Sequence, residues 1–401
     1  IVPKTNSGQY DAVIAAATFF PKETVFKEGG VRIGAGTGNM GSASWGGTGG
    51  FGGVSPLMNT PSFNSRATAH MVFKALLKTS PDLDVDRLHE MVVGKNFDTG
   101  KNLRDFSTEK IEGKRIAIVG IGNIGREVAK IAKAFNMEVA VHARPKHKKW
   151  IESEGFIYSP TIEDVARGSD FISFHIGLGT PNIETGKFEN EGLIGESVLN
   201  ALNNEAVLIN YDRGELLDVQ ALDKVLSSGK IRYAAIDADL FKNSETGEIS
   251  GPMRPFIDLE RKHIGKLELL PHAAADTEHL SRVEGAKQAI DQIFSAIQYK
   301  TVINLKGDLP PGYKDGGVKT VCGVGKVTER RLSESLENDE FLKKMRTTSE
   351  KISAIWGALS ATSNSERREE LIHRYGSDLI LASNTYLSLI HSEGLTGPYD
   401  D

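Results

Sequence analysis

Residues 114–125 read KRIAIVGIGNIG, and no other stretch of the chain restricts its fold as much. Ile116, Ala117, Ile118 and Val119 form a short apolar run that meets Gly120, Ile121, Gly122, Asn123, Ile124 and Gly125. A helical pattern follows at once, with Ile124, Val128, Ile131, Ala132 and Phe135 on one face. A strand, a glycine turn and a helix in that order suit the holding of a pyrophosphate. Gly120 permits a tight turn off the strand, Gly122 lets the backbone approach phosphates, and Gly125 lets the helix pack close. The helix N-terminus adds N–H groups and a partial positive charge. A bare G-x-G-x-x-G also occurs as a plain turn, but its place between strand and helix favours dinucleotide binding here.

The surroundings of this turn predict the fold class. Strand patterns fall at 115–119, 138–143, 171–176, 206–210, 233–237 and 267–270, with helical patterns between them. Such alternation predicts an α/β fold built on a doubly wound parallel sheet, with ligands beyond the carboxyl ends of the strands. Upstream, 10–20 and 31–33 read as strands and 64–77 as a helix, capped by Asn64 or Ser65. Downstream, 283–297 is an amphipathic helix and 305–326 a Gly/Pro-rich connection. Two further apolar stripes follow, one through Leu342, Ile352 and Trp356 and one through Leu371, Tyr375 and Leu379. They read as packing faces, the second behind a capping box at 363–366.

Composition excludes several classes. A net charge of −5 offers no global basic field to nucleic acid or a membrane surface. No apolar run reaches the roughly 20 residues of a membrane span, and no signal peptide is visible. The single cysteine, Cys322, rules out an internal disulfide and suits a reducing compartment, so a cytoplasmic location is expected.

The second strand bears on the cofactor. In a dinucleotide fold it usually ends in an acid that binds the adenine ribose 2′-hydroxyl. Here the position falls near neutral Ala143, and Arg144, Lys146, His147, Lys148 and Lys149 follow. A carboxylate would repel a 2′-phosphate, whereas a guanidinium binds one bidentately. A solvated basic helix start is the plainer reading of the charge run. Its coincidence with the missing acid favours NADP, led by Arg144 and Lys146, with NAD as the alternative.

Three later motifs stand in order: Asn210-Tyr211-Asp212-Arg213-Gly214 through Asp218, Ala235-Ile236-Asp237-Ala238-Asp239-Leu240-Phe241, and Pro271-His272. With Asn59-Thr60-Pro61 ahead of Asn64-Ser65, they resemble the D-isomer-specific 2-hydroxyacid dehydrogenase family over about residues 10–305. The resemblance implies hydride transfer between the nicotinamide and a small 2-hydroxy or 2-keto acid. Arg213 suits the carboxylate anchor and His272 the acid/base. A structural salt bridge and a satisfied histidine are the readings without the resemblance. The family also implies a glutamate holding the imidazole. Here the loop departs from its pattern, with no Glu-Pro, leaving Glu245 as the nearest candidate, then Glu248 and Asp239. By likeness, Asp237 accepts from the nicotinamide carboxamide. Residues 171–178 (FISFHIGL) resemble the strand entering a cofactor-side loop, which adds His175 to the cofactor residues.

The glycine-rich stretch at 34–53 reads on composition either as a flexible loop or as a backbone cradle for an anion. The resemblance favours the cradle for Ala35, Gly36, Thr37 and Gly38, which would hold the substrate carboxylate. The family usually starts with a further strand and helix before the region matching Tyr10, so a substrate domain that is either abbreviated or truncated is expected.

The expected organisation is therefore a Rossmann-type dinucleotide domain at 62–275. A smaller flavodoxin-like substrate domain is expected from 1–61 and 276–312, and a helical C-terminal extension at 313–401. A homodimer and no metal are expected. Formate oxidation, or a cofactor-sensing interaction protein on the same fold, are the competing readings.

Overall fold

The structure, a computed structural model, describes residues 10–16, 26–27, 29–33, 54–79, 84–106, 108–179, 187–272, 274–318 and 339–388. The chain divides into two units, Ile1–Phe63 with Glu284–Asp401, and Asn64–Val283. Sequence placed these divisions at 61 and 275. Ala35, Gly36, Thr37, Gly38, the glycines of 46–53 and Cys322 lie outside the described residues.

The first unit holds parallel strands β1 (Ala12–Ala15), β2 (Gly29–Ile33) and β3 (Leu57–Thr60), with Leu305–Lys306 antiparallel to β3. Its core joins Val31 and Met58 to Ala289, Ala296 and Val302. Buried Gln292 donates to the carbonyls of Asn59, 3.0 Å, and Ile303, 3.1 Å, and accepts from Asn304. A buried amide with its donors and acceptor met in this way fixes helix to sheet without an unpaired polar cost. The helices Asp339–Ser360 and Ser365–Ser388 pack on each other. The second is capped by Asn364, whose side chain accepts from the Arg367 N–H.

The second unit is built on seven parallel strands: β4 (Arg115–Val119), β5 (Glu138–His142), β6 (Ile157–Ser159), β7 (Phe171–Phe174), β8 (Ala206–Asn210), β9 (Ile231–Ala238) and, beyond a two-stranded hairpin, one more. That hairpin is β10 (Phe241–Lys242) with β11 (Ile249–Ser250), and the seventh strand is β12 (Leu267–Pro271). Their order in the sheet is β12-β9-β8-β7-β4-β5-β6. Every residue of β7 and β8 is buried, as expected of strands covered on both faces.

Four helices precede or follow the first of these strands: α1 (Ser65–Thr79), α2 (Val85–Val93), α3 (Thr99–Asn102) and α4 (Asn123–Ala134). α4 buries Val128, Ala129 and Ala132 and packs on α1, where Phe73 stacks on Phe135. Strand order reverses between β4 and β7, which opens a crevice beyond their carboxyl ends.

The strands expected at 115–119 and 206–210 form with those bounds, and the other four differ at their ends. β3 and β6, of four and three residues, were not anticipated, because so short a run shows no period. Among the described residues no helix is long and apolar enough to cross a membrane, and no cluster of side chains is arranged to hold a metal.

Candidate active site

The turn after β4 is closed by protein on one side and open on the other. Gly120 has φ of 97°, and a Cβ there would stand 2.2 Å from the His175 carbonyl oxygen. A Cβ on Gly125 would stand 2.1 Å from the Gly120 carbonyl oxygen. At Gly122 a Cβ would meet nothing within 4 Å. Gly122 is also the N-cap of α4 and brings no side chain to its N–H groups, and Asn123 and Ile124 form the first helical positions beside it. Open space over an uncapped helix N-terminus fits a pyrophosphate.

At the end of β5, Ala143 is buried and Arg144 and Lys146 are exposed. Neither of these cations has an ion pair among the described residues. An exposed fork at this place fits a 2′-phosphate in chemistry and charge. Beyond β7, burial holds the His175 imidazole neutral, its pKa lowered to about 3. Its Nε2 pairs with the Ser173 hydroxyl at 2.9 Å, and its enclosed Nδ1 has no hydrogen-bond partner among the described residues.

Beyond β8, the buried Asn210 shapes the loop that carries Arg213. Its Nδ2 donates to the Arg213 carbonyl at 2.8 Å, and its Oδ1 accepts from the Asp212 N–H at 3.3 Å. The loop is thus folded back on its own first residue, which is why an asparagine stands three positions before the arginine. A Cβ on Gly214 would lie 2.7 Å from the Ala238 Cβ, so the chain passes β9 only as glycine. Arg213 remains partly exposed, and its Nη1 lies 3.4 Å from Asp239 Oδ2.

The register of β9 and β12 brings the remaining groups together. Pro271 pairs with Ala238, and the next residue, His272, donates its backbone N–H to the Ala238 carbonyl. The His272 Nδ1 therefore comes within 3.3 Å of Asp237 Oδ1. Burial works to lower the His272 pKa, but the hydrogen bond and charge of Asp237 outweigh it and hold the pKa above the ordinary 6.5. A histidine so held keeps its proton to a higher pH than a free imidazole and is oriented by its carboxylate.

This geometry corrects the expected partner of His272. The carboxylate on the imidazole is Asp237, which the sequence assigned to the nicotinamide. Glu245 is exposed in the turn between β10 and β11, where its N–H is held by the Asn243 side chain. Glu248 is exposed on the same hairpin. The Asn243 side chain accepts the N–H groups of Glu245 and Thr246 and closes the hairpin locally, which leaves both glutamates on an exposed turn. Asp239 faces Arg213.

Two features escaped the sequence reading. Asp212 is half-buried beside Arg213, and burial pushes its carboxyl up to about 7 against the charges of Arg213 and His272. Tyr211 is buried, and its hydroxyl donates to Glu268 Oε1 at 2.8 Å, while Lys78 donates to the other oxygen at 2.6 Å. The only signal for either was an unexpected polar pair between Asn210 and Arg213.

Comparison with known proteins bears on this arrangement. Residues 83–261 match the family described as D-isomer specific 2-hydroxyacid dehydrogenase, NAD binding domain. The chain is 32% identical over 249 residues to a glyoxylate reductase of Aeropyrum pernix, covering 62% of this chain and 68% of that one. The chain belongs to the D-isomer-specific 2-hydroxyacid dehydrogenase family. It is an NAD(P)-dependent oxidoreductase of that family. A second glyoxylate reductase, from Thermococcus litoralis, is 29% identical over 263 residues, 65% of this chain and 70% of the relative. Two solved structures share the fold. An acyclic imino acid reductase in complex with NADPH and D-Arg gives a TM-score of 0.50 at 24% identity, covering 74% of this chain and 85% of its own. A D-lactate dehydrogenase of Treponema pallidum gives 0.50 at 18% identity, covering 70% and 86%.

Proposed function

We propose that this protein reduces a small 2-keto acid to the D-2-hydroxy acid with NADPH, and carries out the reverse oxidation with NADP. The observation that carries the reading is the set of neighbouring strand ends. Arg213 follows β8, Asp237 closes β9 and His272 follows β12, on the same edge of the sheet as the glycine turn. Arg213 binds the substrate carboxylate and polarises the carbonyl. His272 gives its Nε2 proton to the carbonyl oxygen in reduction and takes it back in oxidation. Asp237 orients the ring and favours the charged form. A bound dinucleotide supplies or accepts the hydride at C2 of the substrate.

Gly120, Gly122, Asn123, Ile124 and Gly125 hold the pyrophosphate in this reading. Arg144 and Lys146 take the 2′-phosphate, and His175 lines the cofactor side. Ala35, Gly36, Thr37 and Gly38 hold the substrate carboxylate with Arg213, on sequence grounds alone. The names of the relatives put glyoxylate first among the acids to try. A panel of 2-keto acids with NADPH tests the whole reading. Tight dinucleotide binding with no turnover across the panel would favour a cofactor-sensing role instead.

The cofactor choice has its own test. Arg144→Ala is expected to weaken NADPH binding by about tenfold or more and to leave NADH binding unchanged, as for loss of a charged hydrogen bond. Titration of both cofactors by fluorescence measures it. A clear preference of the unsubstituted protein for NADH would refute the role given to Arg144.

A homodimer is proposed as well, supported by the exposed Val85, Val92 and Val93 of α2. Light scattering at two concentrations checks it, and a monomer at both would reject it. The single cysteine supports a cytoplasmic placement, to be checked by fractionation of the source cells.

A further inference from the structure

Side chains that the hydride scheme does not use join the strand ends at which it takes place. Glu268 of β12 pairs in register with Ala235 of β9, and Ala235 pairs on its other side with Ile209 of β8. Residues paired across a parallel ladder share a face, and that face recurs at every second position. One face of the sheet therefore carries Glu268 and, beyond the end of β12, His272. It also carries Ala235 and Asp237 of β9, and Tyr211, the first residue past β8.

β8 and β12 are not neighbours, since β9 runs between them. Two strand spacings amount to roughly 10 Å, and Tyr211 and Glu268 span them together. The Tyr211 hydroxyl donates to Glu268 Oε1 at 2.8 Å. The bridge crosses β9 at Ala235, which is fully buried and brings only a methyl group to this face. Lys78, in the last turn of α1, donates to Glu268 Oε2 at 2.6 Å, and the Tyr233 hydroxyl stands 3.5 Å from the same oxygen. Burial works to raise the Glu268 pKa, but the bonds from Lys78 and Tyr211 outweigh it, so the acceptor stays a carboxylate. Burial also keeps the Tyr211 phenol protonated, so it donates.

Asn210 and Tyr211 hold the loop of Arg213 in different ways. Asn210 closes the loop on itself, through the Arg213 carbonyl and the Asp212 N–H, and so fixes its shape. Shape alone does not set the distance from a loop to another strand. Tyr211 does, because it lies just before Asp212 and Arg213 and its far end is bonded to the strand that leads into His272. A 2-keto acid needs its carboxylate on the guanidinium and its carbonyl oxygen on the imidazole at once, and a misplacement of about 1 Å costs on the order of 10²-fold in rate.

We propose that Glu268, braced by Lys78, is a positioning residue that acts through the Tyr211 hydroxyl to set where Arg213 stands relative to His272. The inference rests on the reading of Arg213 and His272 as substrate anchor and proton donor, and adds the bridge that keeps them in register.

The test is steady-state kinetics on the full chain with NADPH and the best 2-keto acid, with NADPH titrations and melting curves in parallel. Tyr211→Phe keeps the ring and deletes the bond. It is expected to lower kcat/KM about tenfold, mostly through KM for the keto acid, while NADPH binds as before. Glu268→Met should show the same loss, and Glu268→Gln should recover most of it, because an amide bonds a phenol hydroxyl from either end. The double variant Tyr211→Phe with Glu268→Met is expected to lose no more than either single change. It also leaves no orphaned acceptor, so it serves where a single variant does not fold. In an Arg213→Ala background Tyr211→Phe is expected to cost nothing further, since the residue it positions is gone. An equal fall in both backgrounds would make the bridge a general prop of the fold and overturn the inference. Unchanged kcat/KM in the double variant would overturn it as well, with the proposed function left standing. Failure of the unsubstituted protein to turn over any 2-keto acid, with NADPH bound, would instead overturn the proposed function and the inference with it.

Discussion

Arg213→Ala is expected to lower kcat/KM for the best 2-keto acid by about 10³-fold while NADPH binds as before. Arg213 carries the fork that would receive the substrate carboxylate, and its loop is held by Asn210, not by its own side chain. Removing the guanidinium therefore leaves the backbone in place and deletes the anchor. It also leaves Asp239 as an unopposed carboxylate beside the site, which repels an anionic substrate further. Arg213→Lys keeps the charge without the planar fork and should recover only part of the loss. Steady-state kinetics with a parallel cofactor titration measure both. Unchanged kcat/KM in the alanine variant would remove Arg213 from the mechanism.

His272→Gln should cost about 10²–10⁴-fold in kcat and flatten the pH profile of what activity remains. Reduction uses the protonated imidazole. The rate should accordingly be full at low pH and fall as pH rises through the His272 pKa, which lies above 6.5. Asp237→Asn supplies the sign test. It removes the hydrogen bond and charge that raise the pKa and leaves burial, which lowers it, so the limb should move to lower pH. A profile that does not move would take Asp237 off the histidine in solution. Assays of kcat/KM for reduction between pH 5.5 and 9, roughly the span over which a histidine titrates, decide it.

The balance between what was legible in the chain and what was not follows the range of each interaction. The glycine turn, strand and helix at 114–134 are adjacent in sequence, and their spacing reports their geometry directly. The loop of Arg213 was equally legible, because Asn210 braces it from within the same few residues. Strand ends that reach the same edge of a parallel sheet can also be named from order alone, which gave Arg213 and His272.

The partner of His272 could not be obtained that way. Proximity in sequence put weight on Glu245 and Glu248, eight to eleven positions beyond Asp237, inside a loop that departs from the family pattern. The fold closes that loop as a hairpin on Asn243, and the β9–β12 register sets Asp237 beside the imidazole, across a separation of 35 residues. Tyr211 shows the same limit for burial: its place in the motif was visible, but its hydroxyl is met by Glu268 of β12, 57 residues away. The sequence by itself determined a doubly wound sheet with a dinucleotide turn and a cation and a histidine at its edge, because those follow from local spacing and strand order. Only the tertiary structure decided that the buried Asp237 is the carboxylate that meets the histidine, because pairing register and desolvation are properties of chain segments brought together from far apart.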